Sequence, residues 1–279
     1  MFNFEKDLRC LMGHNFDKAK EGYVNLLIKN GRGKRHGDDK LMVKARKDFL
    51  EKGYYAPLRQ KLVEILGEGN TVLDVGCGEG YYTSLFAENN TVCGIDISKD
   101  ALKYAAKKCK NSAFAVASIA EIPLSDRSVD AIINIFAPEN LKEFSRVLKK
   151  GGRFITVQPL ENHLFELKEK IYDEPYKNPP PILEKEGFEL ISAEKIEYEI
   201  TIDNNSEKQN KGKQLISTTN IAIGNSDVDI NIPSSNKKQE NTFVFIFANQ
   251  NYDEAPNVEY AFNDGAIFRD YCVRTLGIP

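Results

Sequence analysis

The 279-residue chain has no apolar run approaching the length of a membrane span, no apolar signal-like region at its start and no surplus of positive charge. The first two absences argue against a spanning or exported protein. Cysteine is scarce as well. Cys10, Cys77, Cys93, Cys109 and Cys272 are odd in number and show no paired spacing, which argues against a disulfide framework and for a reducing, cytoplasmic setting. Thirty-eight Lys and Arg against 41 Asp and Glu leave a formal charge of −3, which weighs against a general nucleic-acid binder, because phosphate contacts demand cations. That average hides one run: KNGRGKRHG, residues 29–37, carries Lys29, Arg32, Lys34 and Arg35 and no acid. It reads either as a solvated basic loop or as a phosphate-facing one. Metal donors are also few. Cys10 and His14 stand four apart like half of a zinc knuckle, yet the nine residues before Cys10 contain no Cys or His. Two ligands cannot close a tetrahedral site, so no metal is expected.

What is present is a regular alternation. An apolar fraction of 41% and a charged fraction of 28% are those of a globular domain, and the length allows one large domain or one and a half. LMVKARKDFLEKG predicts a helix with Leu41, Ala45, Phe49 and Leu50 on one face, stopped at Gly53; PLRQKLVEILGEG predicts a second, with Pro57 in its first turn. Then the period changes. TVLDVG, TVCGIDIS, AFAVAS, VDAIINIFAP and RFITVQP read as five buried strands, separated by the helical segments YYTSLFAENN, ALKYAAKKCK and LKEFSRVLKKGG. Strands alternating with helices of this length predict βαβ units, and so a doubly wound α/β domain with a mostly parallel sheet. Residues 208–240 are rich in Asn, Ser and Lys and read as an irregular linker. Beyond them TFVFIFANQNY predicts a strand and NVEYAFNDGAIFRDYCVRTLGIP a helix, a small C-terminal α/β fragment over 241–279.

The sharpest chemical signal is LDVGCGEGYYT. Asp74 ends the first strand, and Gly76, Gly78 and Gly80 form a turn where missing side chains let a ligand approach the backbone. The spacing is G-x-G-x-G, which differs from the G-x-G-x-x-G that seats a pyrophosphate, so a ligand without phosphates fits better. Asp96 ends the second strand in GIDIS, where a carboxylate can accept both ribose hydroxyls. Together they predict a Rossmann-like class I fold binding S-adenosylmethionine, with its amino-acid end over the glycines, its ribose on Asp96 and its adenine against Ile97. A side chain at Gly76 or Gly78 is expected to occupy cofactor space. Ser118 follows the third strand, where many related folds place an acid for the adenine amine. Asn134 to Pro138 follow the fourth strand, where related folds receive a flipped base; Phe136 is either a stacking platform or sheet core.

Several longer stretches carry a family resemblance. GHNFDKAKEGYVNLL, GDDKLMVKARKDFLEKGYYAPL, VLDVGCGEGYYT, ASIAEIPLSDRSVDAIINIFAPENLKEFSRVLKKGGRFI and ENHLFELKEKIYDEPYKN together resemble the bacterial 23S rRNA (guanine-N1) methyltransferases over residues 8–207. The resemblance implies methyl transfer to N1 of a guanine in a 23S rRNA hairpin loop. It also implies cofactor contacts at Tyr55, Tyr82, Thr83 and His163; Phe136 and Pro138 are the candidate acceptor-side residues by their place after the fourth strand. Members of that family open with a C-x-x-C pair that completes a zinc module. Residues 1–39 are therefore expected to be the remnant of an RNA-facing module, and 40–207 the methyltransferase domain.

The tail resembles the first strand and helix of a caspase-like peptidase domain. It carries no matching catalytic residue: no His follows His163, and Cys272 does not match the nucleophile. A separate fragment is the expectation, although TFVFIFAN could instead replace a missing last strand of the main sheet. Three function classes follow: an active RNA methyltransferase, a cofactor-binding domain without catalysis, and an interaction protein.

Overall fold

The computed structural model describes residues 15–27, 38, 40–169 and 172–200, together with the backbone of Phe2–Asn3, Asp7–Arg9 and Asn241–Tyr252. The elements run β1 (Phe2–Asn3), β2 (Asp7–Arg9), β3 (Asn15–Asp17), β4 (Tyr23–Asn25), α1 (Lys40–Leu50), α2 (Ala56–Leu66), β5 (Thr71–Val75), α3 (Thr83–Phe86) and β6 (Thr91–Asp96). They continue with α4 (Lys99–Lys108), β7 (Ala113–Val116), β8 (Val129–Ile135), α5 (Leu141–Val147), β9 (Leu148–Pro159), α6 (Phe165–Lys168), β10 (Phe188–Ile200) and β11 (Asn241–Tyr252). No helix among the described residues is long and apolar enough to cross a membrane.

Eight strands form one sheet in the order β10-β11-β9-β8-β5-β6-β7-β4, and β1, β2 and β3 form a small antiparallel sheet. The central strands pair in parallel. Parallel strands need covered faces, which is why their sequences are nearly continuous apolar runs instead of alternations. On one face α1 and α2 set Phe49, Leu58, Leu62 and Leu66 against Val72, Ile133 and Ile155; on the other α5 sets Phe144 and Val147 against Leu73, Ile132 and Phe154. Truncating any one of these fully buried leucines to alanine carries a cost of about 2 to 5 kcal/mol.

Three expectations meet different outcomes here. The inward face of α1 is shifted: Val43 is buried, whereas Leu41 is half exposed, because the helix turns Val43, Ala45, Phe49 and Leu50 toward the sheet. Tyr23–Asn25, unassigned from its short YVN pattern, adds an edge strand beside β7. Finally, Asn241–Tyr252 is no part of a separate fragment. It lies inside the main sheet, parallel to β9 from Thr242 to Ala248 and to β10 along its whole length. The helix expected after it and Cys272 lie outside the described residues, as do Cys10, His14 and the basic run 29–37.

Candidate active site

In parallel α/β sheets, ligands sit beyond the carboxyl ends of the strands, and here the ends of β5, β6 and β8 converge. Gly76 and Cys77 both donate their N–H groups to the carbonyl of Ile95, tying the turn after β5 to the end of β6. All three glycines take a left-handed backbone, φ +70°, +54° and +79°, which other residues adopt only at a cost. Their surroundings differ, however. A Cβ on Gly76 would stand 2.7 Å from Cβ of Ala137, and one on Gly80 would meet Ala105 and Cys109; only Gly78 faces open space. Of the three, Gly78 alone leaves open space where a ligand could approach. Gly76 instead admits the loop after β8, and Gly80 admits α4.

Asp96 is the centre of the turn. One carboxylate oxygen accepts the N–H of Gly78 at 2.9 Å and the other that of Ser98 at 2.6 Å. A carboxylate offers about four acceptor positions, so two remain for the hydroxyls of a ribose. Burial raises the Asp96 pKa, and the two N–H groups and the Arg46 guanidinium hold the charged form against it. Glu79 is buried too, its pKa raised by that burial and restrained by Arg46. Arg46, from α1, is ion-paired with Asp38. Burial opposes its charge, and Asp38, Glu79 and Asp96 more than offset this, leaving its pKa raised. Neither Arg46 nor Glu79 was singled out in the sequence. Glu79 stands within the glycine motif, where its signal was available, but only tertiary packing brings Arg46 to it.

Asp74 and Thr83 are together but inward. Thr83 is fully buried in α3 and donates its hydroxyl to Asp74 at 2.5 Å. Burial raises the Asp74 pKa to about 7, Thr83 partly countering it. This pair ties the turn to its helix. Tyr82 is packed against Tyr81 with ring centroids 4.9 Å apart. Its hydroxyl, Oε2 of Glu79 and Oδ1 of Asn134 are buried without a hydrogen-bond partner among the described residues. Such atoms ordinarily have a partner, and those of Glu79 and Asn134 flank the turn, where a polar ligand would supply one. Ile97 is 40% exposed at the end of β6, open to an adenine, and the Ser118 hydroxyl accepts the N–H of Ala120, capping its own turn.

A second group lies beside it. Tyr55 is buried at the start of α2, and its hydroxyl meets Nε2 of His163 at 3.2 Å. The His163 ring stacks on Phe136, centroids 5.3 Å apart at 16°, and Tyr55 meets Phe136 edge-on. Phe136 and Leu164 both hold left-handed backbones, φ +52° and +59°, uncommon for such side chains and the kind of strain that collects at functional sites. Pro138 is exposed, and its carbonyl accepts from Nδ2 of Asn134 at 2.8 Å. Thus Tyr55, Phe136 and His163 form an aromatic wall, and one face of Phe136 is already taken by His163.

Burial, with Lys168 adding to it, lowers the His163 pKa to about 3. The folded protein therefore keeps this ring neutral where the unfolded chain protonates it, and stability is lost as pH falls from about 6.5 toward 3. His163→Gln is expected to flatten that limb of a stability–pH profile measured by urea unfolding. An unchanged slope between pH 6.5 and 4 would contradict the assignment.

The charge balance tests the ligand. Asp74, Glu79 and Asp96 surround the turn; Arg46, already paired with Asp38, faces Glu79 and Asp96, and Lys108 acts more weakly on Glu79. A pyrophosphate would meet net negative charge here, whereas a sulfonium carrying an ammonium and ribose hydroxyls meets acceptors. The residues fit S-adenosylmethionine.

A family model described as a methyltransferase domain matches residues 66–219, more than half of the chain. The chain belongs to that family. A second model, a zinc ribbon described as RlmA, N-terminal, matches residues 2–31. That segment of this methyltransferase holds Cys10 and His14 as its only thiol and imidazole donors, half of what a closed zinc site needs. The 23S rRNA (guanine(748)-N(1))-methyltransferase of Streptomyces fradiae is 36% identical over 173 residues, covering 58% of this chain and 61% of that protein. The demethylmenaquinone methyltransferase of Thermotoga maritima is 33% identical over 136 residues, 44% of this chain and 59% of that one. A crystal structure of a SAM-dependent methyltransferase from Aquifex aeolicus matches at 27% identity and a TM-score of 0.39, covering 52% of this chain and 80% of that one. The chain spans less than two thirds of the length of the first curated relatives it matches. Neither family model extends past residue 219, so the peptidase resemblance of the tail has no counterpart among them.

Proposed function

We propose that this chain transfers a methyl group from S-adenosylmethionine to N1 of a guanine in a 23S rRNA hairpin loop. The observation that carries the reading is the acidic glycine turn, with Asp96 held by the N–H groups of Gly78 and Ser98 and two acceptor positions left over. The match to relatives named for that rRNA reaction supports the substrate.

When bound, the sulfonium would supply an electrophilic methyl group and leave as the neutral thioether, and the proton of guanine N1 would pass to water. The chain's own work is then placement, which can supply most of the rate of an in-line displacement. Gly78 and Asp96 fix the ribose end and Ile97 borders the adenine. Phe136, braced by His163 and Tyr55, offers its remaining edge and face to a flipped base, and Pro138 stands at the exposed lip of that loop. Tyr55 and His163, with Phe136, act as the wall between the two ligands, and Tyr82 borders the glycine turn.

Asp96→Ala removes charge-assisted hydrogen bonds worth about 1.5 to 3 kcal/mol, so calorimetry should show S-adenosylmethionine binding roughly 10 to 100 times more weakly. Unchanged affinity would remove the ribose site from Asp96. Tritiated methyl transfer to unmodified 23S rRNA, followed by mapping of reverse-transcriptase stops, tests the substrate: N1 methylation blocks the pairing edge and must give a discrete stop. Incorporation without a stop at a guanine would sink the N1 assignment.

A further inference from the structure

A cavity of about 290 Å³ opens at the end of the sheet opposite the glycine turn, beside the start of β8 and the end of α5. Arg127, Lys142, Arg146 and Lys150 line it, against a single acid, Asp126. In a chain whose formal charge is −3, this is a local reversal of sign.

Its floor is built by Arg146, which spends all five donors on the protein. Nε and Nη2 donate to Glu143 at 2.8 and 2.7 Å, Nη1 to the Leu124 carbonyl and to Asp126 at 2.8 and 2.9 Å, and Nη2 also to the Ile122 carbonyl at 2.8 Å. The backbone N–H groups of Arg127 and Ser128 donate to the carbonyls of Arg146 and Val147. The turn that carries Arg127, itself left-handed at φ +52°, is therefore pinned to the end of α5. Asp126 is matched by Arg146, and neighbouring Lys149 is drawn away to Asp130 at 2.7 Å. Arg127, Lys142 and Lys150 are exposed and have no acidic partner among the described residues, three cations around a fixed concave floor.

We propose that this cavity is a second RNA contact, seating phosphodiester groups of a segment outside the reacting hairpin. The inference rests on the rRNA reading above and adds a site to it. Strands β5 and β8 are parallel, so the cavity and the acceptor loop lie at opposite ends of the sheet. One small hairpin loop entering the acceptor site would not also fill the cavity, and a flanking stem would. Three exposed cations around a floor that Arg146 fixes, with little matching acid, are the arrangement that binds phosphates independently of sequence.

The test compares the full chain with the triple variant Arg127→Asn, Lys142→Gln, Lys150→Gln, chosen because Asn tolerates the left-handed backbone. Binding would be measured between 50 and 300 mM salt, where the Debye length falls from about 14 to about 6 Å, against the isolated hairpin and against a longer unmodified 23S fragment with its neighbouring stems. For the longer fragment the variant should lose roughly 2 to 3 from the slope of log K against log salt. The hairpin slope and the affinity for S-adenosylmethionine should stay the same. Equal slopes for both proteins on the longer RNA, an equal loss on the hairpin, or displacement of the RNA by polyglutamate as readily as by a phosphate polymer would each overturn the proposal. The slope decides this contact whether or not methyl transfer is observed, and the tritium assay of the wild-type chain reports separately on the activity.

Discussion

Replacing Glu139 by alanine is expected to lower the unfolding free energy by about 3 to 5 kcal/mol, the range for removing one partner of a buried ion pair. Glu139 follows Pro138 in the acceptor loop. Its Oε2 accepts from Lys185 at 2.5 Å, and its Oε1 accepts from the Thr156 hydroxyl at 3.1 Å and the Gln158 amide at 3.2 Å. The Lys185 side chain is only 6% exposed and that of Glu139 19%, so truncation would take the carboxylate away from a buried cation and from two neutral donors. The same carboxylate ties the loop to β9 and to the segment leading into β10, while Asn134 holds it from the other side through the Pro138 carbonyl. Methyl transfer should therefore fall further than S-adenosylmethionine affinity, because the acceptor loop loses its anchor and the glycine turn does not. Glu139→Gln, which keeps an acceptor and loses the charge, should fall between. Joint replacement of Glu139 by Leu and Lys185 by Met should recover much of the stability, since paired apolar substitutes avoid the desolvation altogether. A denaturant titration of Glu139→Ala with a change under about 1 kcal/mol would show that the pair is not buried in solution.

The glycine turn was legible because its signal is local. A buried apolar run, then three glycines, then an acid at the next strand end encode strand, turn and a carboxylate beside the turn within one βαβ unit, and Gly78 donates its N–H to Asp96. Directions were less legible. Tyr82 and Thr83 adjoin in sequence, yet a single helical turn points Thr83 into the core at Asp74, and no local pattern distinguishes that from a turn into the cleft. Gly76 carried the same ambiguity: its missing side chain makes room for Ala137, sixty-one positions away in sequence. Arg46, Glu139 and Lys185 were opaque for a related reason. On an amphipathic helix or a loop, a charge reads as solvent-facing by default, and only the assembled sheet brings Arg46 to Glu79 and Asp96. The tail shows how an apolar run announces a strand without naming its sheet, since β-propensity is satisfied by any partner edge.

Removing residues 208–279 is expected to have the other large effect. β11 stands between β9 and β10, so β10 joins the main sheet only through it. A truncated chain would keep β9 as a raw edge and leave β10 with no strand partner among the described elements. Phe188, Leu190, Ile196 and Ile200 of β10 pack into the two main apolar clusters, and that packing would have to hold β10 in place without its ladder. Each net backbone hydrogen bond contributes about 0.5 to 1.5 kcal/mol, and the ladder runs the length of β10 on one side and from Thr242 to Ala248 on the other. Several kcal/mol should be lost, corresponding to a fall in melting temperature of roughly 10 °C or more for a domain of this size. The exposed edge should also promote association between truncated chains, because unpaired backbone groups recruit further strands. Cofactor affinity is the more discriminating readout. The glycine turn lies three strands from β11 and Asp96 four, so where the truncated chain remains folded it should still bind S-adenosylmethionine, with its acceptor loop loosened through β9. A truncated chain that melts at the wild-type temperature and stays monomeric would show that Asn241–Tyr252 contributes nothing to the sheet and would restore the reading of a separate tail.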